Sequence, residues 1–421
     1  MKEKYMITSV KGFKDIYGED LELFKTARRV LEEIAESFAY EEIITPIIEY
    51  SELFERSVGI DTDIVEKEMY TFIDKSARSV TLRPEITASV ARSYVEHHFE
   101  TKPLPLRFYY FGPCFRYEKP QKGRFRGFYQ FGVEAIGDDS PLLDAEVIDI
   151  GYNIAKKLEL KNVSVKINSI GCRKCRTIYK EKLKEVLESH YDELCEDCKK
   201  RFYTNPLRIL DCKKESPELK DILPKMIDYL CDDCKKHFDS VLDYLQKMNI
   251  PFEIDNTLVR GLDYYTRTVF EVISSGLGAQ NALLGGGRYD YLIEELGGRP
   301  TPAVGFALGM ERLVEIMKSQ GFARRDKRLI YVAYQQTAFK RAIFITEKLR
   351  NYGFKVFLDV KNGSFKNQTE RSAKRNAEFT IFIGEEEVKT GSVVVKNMGT
   401  KEQKQVNIDD LNGFFKEQRN V

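Results

Sequence analysis

Net charge is what this sequence has least of: 67 Lys and Arg stand against 66 Asp and Glu over 421 residues, a formal +1. That balance excludes a protein that coats nucleic acid with its whole surface, though not one with a local basic face. No uninterrupted apolar run reaches membrane-spanning length. Met1 to Val10 has no long apolar core and no small-residue cleavage signal, so no secretory peptide is read there. Cysteine is sparse, eight residues in all, too few for a disulfide scaffold of this length. Neither an internal repeat nor a low-complexity tract interrupts the chain. These absences lead to the expectation of a cytoplasmic protein with no membrane partner. At 42% hydrophobic and 32% charged residues the composition is globular. Its length suits two or three domains of about 150 residues.

Helical spacing places Leu21, Phe24, Ala27, Leu31, Ile34 and Phe38 on one face of a helix over 19–38, with Asp20 as a candidate N-cap. Ile43, Ile44, Pro46, Ile47 and Ile48 read as extended chain, because a proline disfavours helix at the residue before it. Residues 104–115 and 125–133 are rich in Tyr and Phe and flank a polar loop at 119–123, a hairpin pattern. Ser140 caps the next helix, with Pro141 at its first position. Residues 171–236, rich in Lys, Glu and Cys, read as an inserted helical subdomain with Leu183, Val186 and Leu187 on one face.

The last part of the chain differs. Residues 321–327 read as a charged linker. Strands and helices then alternate over 328–421 in a small α/β domain of βαβ type. This segment has 17 Lys and Arg against 11 Asp and Glu, so +6, while the remainder carries −5.

Three segments could carry chemistry. Five cations and one acid occupy 116–126, Arg-Tyr-Glu-Lys-Pro-Gln-Lys-Gly-Arg-Phe-Arg, a density of Arg and Lys suited to phosphate oxygens. Arg260 and Arg267 lie among aromatic and apolar residues in 258–267. If that segment is a strand, Tyr264 and Tyr265 face opposite sides, so at most one faces a given pocket unless the chain turns there. Gly285-Gly286-Gly287 would let backbone approach a ligand or make a tight turn. It is neither a Walker loop nor a dinucleotide fingerprint.

These segments resemble the histidyl-tRNA synthetases, a family of class II aminoacyl-tRNA synthetases. Ile43 to Glu49, with Pro46, resembles class II motif 1; 115–134 resembles motif 2; Gly305 to Leu313 resembles motif 3. Thr81-Leu82-Arg83-Pro84-Glu85, Leu258 to Tyr265 and Gly285 to Asp290 resemble the signatures specific to histidine. The resemblance implies an α+β fold: an antiparallel-sheet catalytic domain over 1–320 with the helical insertion, and a C-terminal α/β anticodon-binding domain. It implies a ligase that activates L-histidine with ATP, entering with Mg²⁺, and transfers it to tRNA(His), as a homodimer.

In the residue roles that the resemblance implies, Arg116 and Arg260 are catalytic at the α-phosphate. Glu118, Arg124 and Arg312 join them in binding ATP. Glu85, Thr87 and Gln130 contact the histidine ammonium, Glu134 and Tyr264 its imidazole, and Tyr265 the rim. Phe365, Lys366, Asn367, Gln368, Arg371 and Arg375 are the tRNA-binding candidates. The sequence departs from the family's common pattern at Tyr17, Ala39, Ile86 and Tyr291; glycine is common at position 39. An alternative function shares the same core, that of an inactive regulatory paralogue of ATP phosphoribosyltransferase. That paralogue usually lacks the separate C-terminal domain and parts of the Arg260 signature.

The cysteines stand apart from this scheme. Cys172-x2-Cys175 and Cys195-x2-Cys198 are spaced as a tetrahedral zinc site would be, with Cys231-x2-Cys234 as a third pair and Cys212 single. The resemblance implies no zinc for catalysis. Structural zinc, buried reduced thiols and disulfides are all left open, and the metal is unknown.

Overall fold

The computed structural model describes residues 6–59, 62, 64–119, 123–212, 214, 216–274, 282–322 and 329–418. The chain forms two units, Met1–Ala323 and Arg324–Val421. Of the segment read as a linker, residues 323–327 lie outside the described residues, as do 120–122 of the motif 2 loop.

The first unit is built on an eight-stranded sheet. Its strands lie in the order Glu41–Glu42, Leu106–Phe115, Gly127–Ile136, Ala303–Gly309, Ala282–Arg288, Thr266–Ile273, Ser164–Ser169, Phe252–Ile254. Only the two edge strands pair parallel to their neighbours. Side chains alternate across the sheet. One face carries Tyr109, Phe131, Val133, Val304, Phe306 and Leu308 into a core shared with the helices Gly18–Ser37, Pro141–Lys157 and Met310–Ser319. The other face carries Tyr110, Gln130 and Glu134, which places the site opposite the main helical layer.

Helix Gly18–Ser37 buries Phe24, Ala27 and Leu31 of the predicted stripe, but its buried face also takes in Leu23 and Ala35, and Leu21, Ile34 and Phe38 are only half-buried at its margin. It begins earlier than expected, so Asp20 lies in the first turn rather than at the N-cap, which is Tyr17. There its charge suits the positive end of the helix dipole. Ser140 does cap its helix, its Oγ accepting from the Leu142 N–H at 3.2 Å.

Arg83, almost fully buried, fastens motif 1 to the core. Its Nη1 donates to the Thr45 carbonyl and Oγ1, both at 2.9 Å, and its Nε donates to the Pro113 carbonyl at 2.9 Å. Residue 112 is glycine because a Cβ there would lie 2.2 Å from Arg83 Nη2.

The insertion leaves the sheet after Ser164–Ser169 and returns to Phe252–Ile254, the parallel neighbour of that strand. Its helices Arg173–Ser189, Glu196–Thr204, Pro217–Ile222 and Asp232–Lys247 enclose a core that includes Tyr179, Leu183, Leu187 and Ile209, with Val186 at its margin.

In the second unit the strands lie in the order Lys355–Leu358, Leu329–Tyr334, Phe379–Ile383, Ser392–Asn397, Gln403–Asn407. The first three are parallel, as the βαβ pattern predicts, and the last two are antiparallel additions. Two elements are not expected from the sequence. Strand Gln403–Asn407 is a sheet edge that buries only Val406, so it has no apolar alternation. Helix Glu385–Thr390 opens on three glutamates and has no buried residue.

Candidate active site

The carboxyl group of Glu134 lies at the floor of the site, buried beneath hydroxyl groups. Thr87 donates to its Oε1 at 2.6 Å, Tyr110 to the same oxygen at 3.3 Å, and Tyr289 to Oε2 at 2.5 Å. Two glycines make room for it. Gly305 pairs with Glu134 across the sheet, and a Cβ there would stand 1.8 Å from Oε2. Gly132 leaves the space that the Tyr110 hydroxyl enters. Burial pushes the Glu134 carboxyl up to about 8, against the opposing bonds from Thr87 and Tyr289. Once ionised, a carboxylate offers about four acceptor positions. With three taken, one remains for an incoming N–H.

Glu85 sits where helix Thr87–Glu96 begins and accepts the N–H groups of Thr87 and Ala88, both at 2.8 Å. Burial raises its carboxyl, while the Ala88 amide and the Arg116 charge oppose the rise. Gln130 Oε1 accepts from the Cys114 thiol at 3.3 Å. The expected ammonium-side group of Glu85, Thr87 and Gln130 therefore shares a neighbourhood with Glu134, linked through the Thr87 hydroxyl.

The chain turns at Tyr264 and Tyr265, the exception that the sequence reading left open. The strand begins only at Thr266, and 258–265 is an irregular, turning stretch. Both tyrosines consequently enter the same buried region, with ring centroids 4.6 Å apart, and Tyr264 stacks edge-on with Tyr289 at 5.6 Å.

For Gly285-Gly286-Gly287 the tight-turn reading is corrected. The run belongs to the strand Ala282–Arg288. A Cβ on Gly285 would lie 2.4 Å from the Arg260 guanidinium nitrogens, and one on Gly286 would meet the Gly305 carbonyl at 2.2 Å. The glycines let an arginine and a neighbouring strand approach the backbone. Arg288, which follows them, is fully buried and serves the fold. Its Nε donates to Asp144 at 3.0 Å, and its Nη1 donates to the Asp138 carbonyl at 3.0 Å.

Arg260 is anchored by Glu271 Oε1, 2.6 Å from its Nη1, and its buried Nε has no partner among the described residues. Arg312 is held below the usual arginine range by burial and then by the charges of Arg124 and Arg260, while Glu271 opposes them. A buried arginine that feels the charge of two others suits a polyanion. Arg124 donates to Glu118 Oε2 at 3.2 Å. Arg116 donates through Nε to the Pro84 carbonyl at 2.9 Å, which holds it near Glu85. Glu311, beside Arg312, accepts the Tyr129 N–H with both oxygens, and burial raises its carboxyl to about 7. The structure thus places Arg116 with the carboxyl and hydroxyl group of Glu85, Thr87 and Glu134, and Arg124 and Arg260 with Arg312.

Tyr110, Tyr289 and Glu271 are absent from the sequence-based set. Tyr110 is opposite Gly132 in the hairpin register, and Glu271 is opposite Gly285. A charged residue inside an apolar strand, as in Thr-Val-Phe-Glu-Val-Ile, was the available signal for Glu271.

The C-terminal candidates divide. Gln368 is fully buried, donates to the carbonyls of Tyr334 and Gly363 at 2.8 Å and accepts the Tyr334 N–H at 3.0 Å. It serves the fold, and its assignment to RNA contact is corrected: a saturated amide inside the core has no edge left to read a base. Arg371 is tied to Asp359 at 2.7 Å and to the Asn362 carbonyl at 2.6 Å. Phe365 packs against Phe382, and Arg375 lies 3.9 Å over the Phe357 ring. Lys366, Asn367 and Arg375 are exposed.

Known proteins align with both units. Residues 12–313 match the family model described as Histidyl-tRNA synthetase, and residues 328–418 match that described as Anticodon binding domain. The histidine–tRNA ligase of Halothermothrix orenii is 49% identical over 390 residues, which cover 92% of each chain. That of Thermosipho melanesiensis is 46% identical over 415 residues, 98% of this chain and 99% of the other. The crystal structure of apo S. aureus histidyl-tRNA synthetase superposes with a TM-score of 0.81 at 37% identity, over 98% of this chain and 100% of that one.

Proposed function

The chain belongs to the histidyl-tRNA synthetase family and is an ATP-dependent histidine–tRNA ligase of class II, and from that premise we propose how its residues divide the work. Glu85, Thr87 and Gln130 receive the histidine ammonium. The remaining acceptor position of Glu134 and the Tyr264 hydroxyl take the imidazole nitrogens. A site whose buried polar groups require both ring nitrogens rejects side chains that lack them by large factors. Tyr265 closes the rim.

ATP enters as its magnesium complex. Arg124, with Glu118, and Arg312 hold the nucleotide and its phosphate tail. Arg116 and Arg260 flank the α-phosphate. The histidine carboxylate attacks the α-phosphorus, the bond to the β-phosphate oxygen breaks, and pyrophosphate leaves. Negative charge on the α-phosphate oxygens grows in that transition state, and arginines already fixed by Pro84 and Glu271 lower the barrier without reorganising. The terminal ribose hydroxyl of tRNA then attacks the activated carbonyl and AMP leaves.

Arg260, held by Glu271 at 2.6 Å and against Gly285, and sharing with Arg124 an electrostatic influence on Arg312, is the observation that carries this reading. Exchange of labelled pyrophosphate into ATP tests it. Exchange should require histidine; equal exchange with other amino acids would contradict the assignment of the pocket.

Two further parts of the reading concern partners. Ile44, Ile47, Ile48 and Tyr50 of the motif 1 segment are exposed. That apolar run supports pairing of two copies through motif 1. In the C-terminal domain, Lys366, Asn367 and Arg375 are the accessible members of the proposed RNA-binding set. The cations would contact phosphates, and Asn367 a base edge.

A further inference from the structure

The eight cysteines do not group as their order along the chain suggests. Cys172-x2-Cys175 does not meet Cys195-x2-Cys198. It meets Cys231-x2-Cys234, and all four sulfurs lie within 4.8 Å of one another. Cys195 and Cys198 gather with Cys212 in a separate group of three. The pairing suggested by the sequence spacing, Cys172-x2-Cys175 with Cys195-x2-Cys198, is corrected accordingly. Sequence spacing could not decide this, because three C-x2-C pairs can combine in three ways.

We propose that Cys172, Cys175, Cys231 and Cys234 bind one zinc ion as a tetrathiolate, which joins the entry and exit of the insertion beside the segment that bears Arg260, Tyr264 and Tyr265. The dimensions fit. With Zn–S bonds of about 2.3 Å, a tetrahedron has S···S edges of about 3.8 Å. Cys172 Sγ and Cys175 Sγ stand 3.6 Å apart and are unbridged, as are Cys231 and Cys234.

The backbone is arranged for thiolates. Cys172 is the N-cap of helix Arg173–Ser189, and Cys231 is the N-cap of helix Asp232–Lys247. Each pair therefore opens a helix of at least four turns, and both positive helix ends converge on one sulfur cluster. The Cys231 N–H donates to Cys175 Sγ at 3.1 Å, a bond to the sulfur that favours its ionised form. Four neutral thiols give up four protons when one Zn²⁺ binds, and the resulting centre carries −2. The insertion's other group supplies only three sulfurs, one fewer than a closed structural zinc site takes.

The position gives the centre a task. Helix Arg173–Ser189 holds the active-site segment directly: Arg176 Nη1 donates to the Tyr265 carbonyl at 3.2 Å. Further into the insertion, Asn205 donates to Asp263 at 2.9 Å and Arg208 to the Gly261 carbonyl at 3.1 Å. An irregular segment that carries an α-phosphate arginine is thereby supported from the insertion, whose two ends the metal would hold together.

Metal analysis of the full-length protein, purified without chelator and passed through gel filtration, tests the proposal. Zinc should be retained, and Cys231→Ser with Cys234→Ser should lose one equivalent per chain relative to wild type. Because that double variant could fold poorly, the wild-type protein supplies a second reading. Stripping its zinc should expose four additional thiols to a disulfide reagent, and cobalt(II) added in place of zinc should give the intense visible bands of a tetrahedral thiolate site. Wild-type protein that retains no zinc, a double variant with the wild-type zinc content, or an unchanged thiol count overturns the proposal. Iron in the purified protein would overturn the choice of metal.

Discussion

The guanidinium of Arg260 lies against the backbone of Gly285, so close that a Cβ at residue 285 would stand 2.4 Å from both terminal nitrogens. The strand backbone there has ordinary dihedral angles, so glycine is needed for space and not for conformation. Gly285→Ala should therefore leave the fold intact, since the far end of a flexible side chain is what must move. It should displace Arg260 and lower histidine-dependent pyrophosphate exchange about 10- to 100-fold, a loss of about 1.4–2.7 kcal/mol in the transition state. Thermal unfolding and exchange measured on one preparation check both halves. Full exchange in this variant would show that Arg260 acts from another position.

Glu134→Gln should change the pH dependence of stability. Burial raises the folded carboxyl from 4.5 to about 8. Between those values the folded chain keeps a proton that the unfolded chain has lost. Wild-type stability therefore falls through this group as pH rises from about 4.5 to 8. Glutamine removes that dependence. The Tm of the variant minus that of wild type should move in the variant's favour from pH 5 to pH 8, and histidine affinity by calorimetry should fall. A constant Tm difference over that range would count against a carboxyl of raised pKa.

Ala39→Gly should stabilise the protein. Helix Gly18–Ser37 ends in a paired closing motif: the Ala39 N–H donates to the Glu36 carbonyl at 2.9 Å and the Tyr40 N–H to the Ala35 carbonyl at 3.1 Å. The motif puts Ala39 at φ +62°, a left-handed conformation that glycine adopts without strain. Less the greater chain entropy of glycine when unfolded, a gain of about 0.5–1 kcal/mol is expected in chemical denaturation. A loss of stability would contradict the strain.

Sedimentation at micromolar protein should give about twice the chain mass of 48.9 kDa. Ile47→Lys with Ile48→Lys, both exposed in the single chain, should shift the protein towards monomer and reduce charging of tRNA. A fully active monomer would separate motif 1 from assembly.

Much of this was legible in the sequence because the pattern was local. Phe24, Ala27 and Leu31 of the first helix follow from periodicity, and the hairpin from two aromatic runs about a polar loop. Arg124, Arg260 and Arg312 were singled out by motif resemblance, since residues so distant in the chain give no local pattern that would link them. What escaped depended on contacts between distant segments. Tyr289 and Tyr110 look like core aromatics until their hydroxyls are seen on Glu134. The glycine run looks like a turn until Arg260 is seen above it. Gln368 looks like a surface amide until Tyr334 is seen to saturate it.

The central claim is that Arg260, fixed by Glu271, stabilises the α-phosphate during formation of histidyl-adenylate. Histidine-dependent exchange of pyrophosphate into ATP by Arg260→His measures it most directly. A fall of at least about 100-fold, with folding and sedimentation unchanged, is the predicted result; exchange at the wild-type rate would contradict the account.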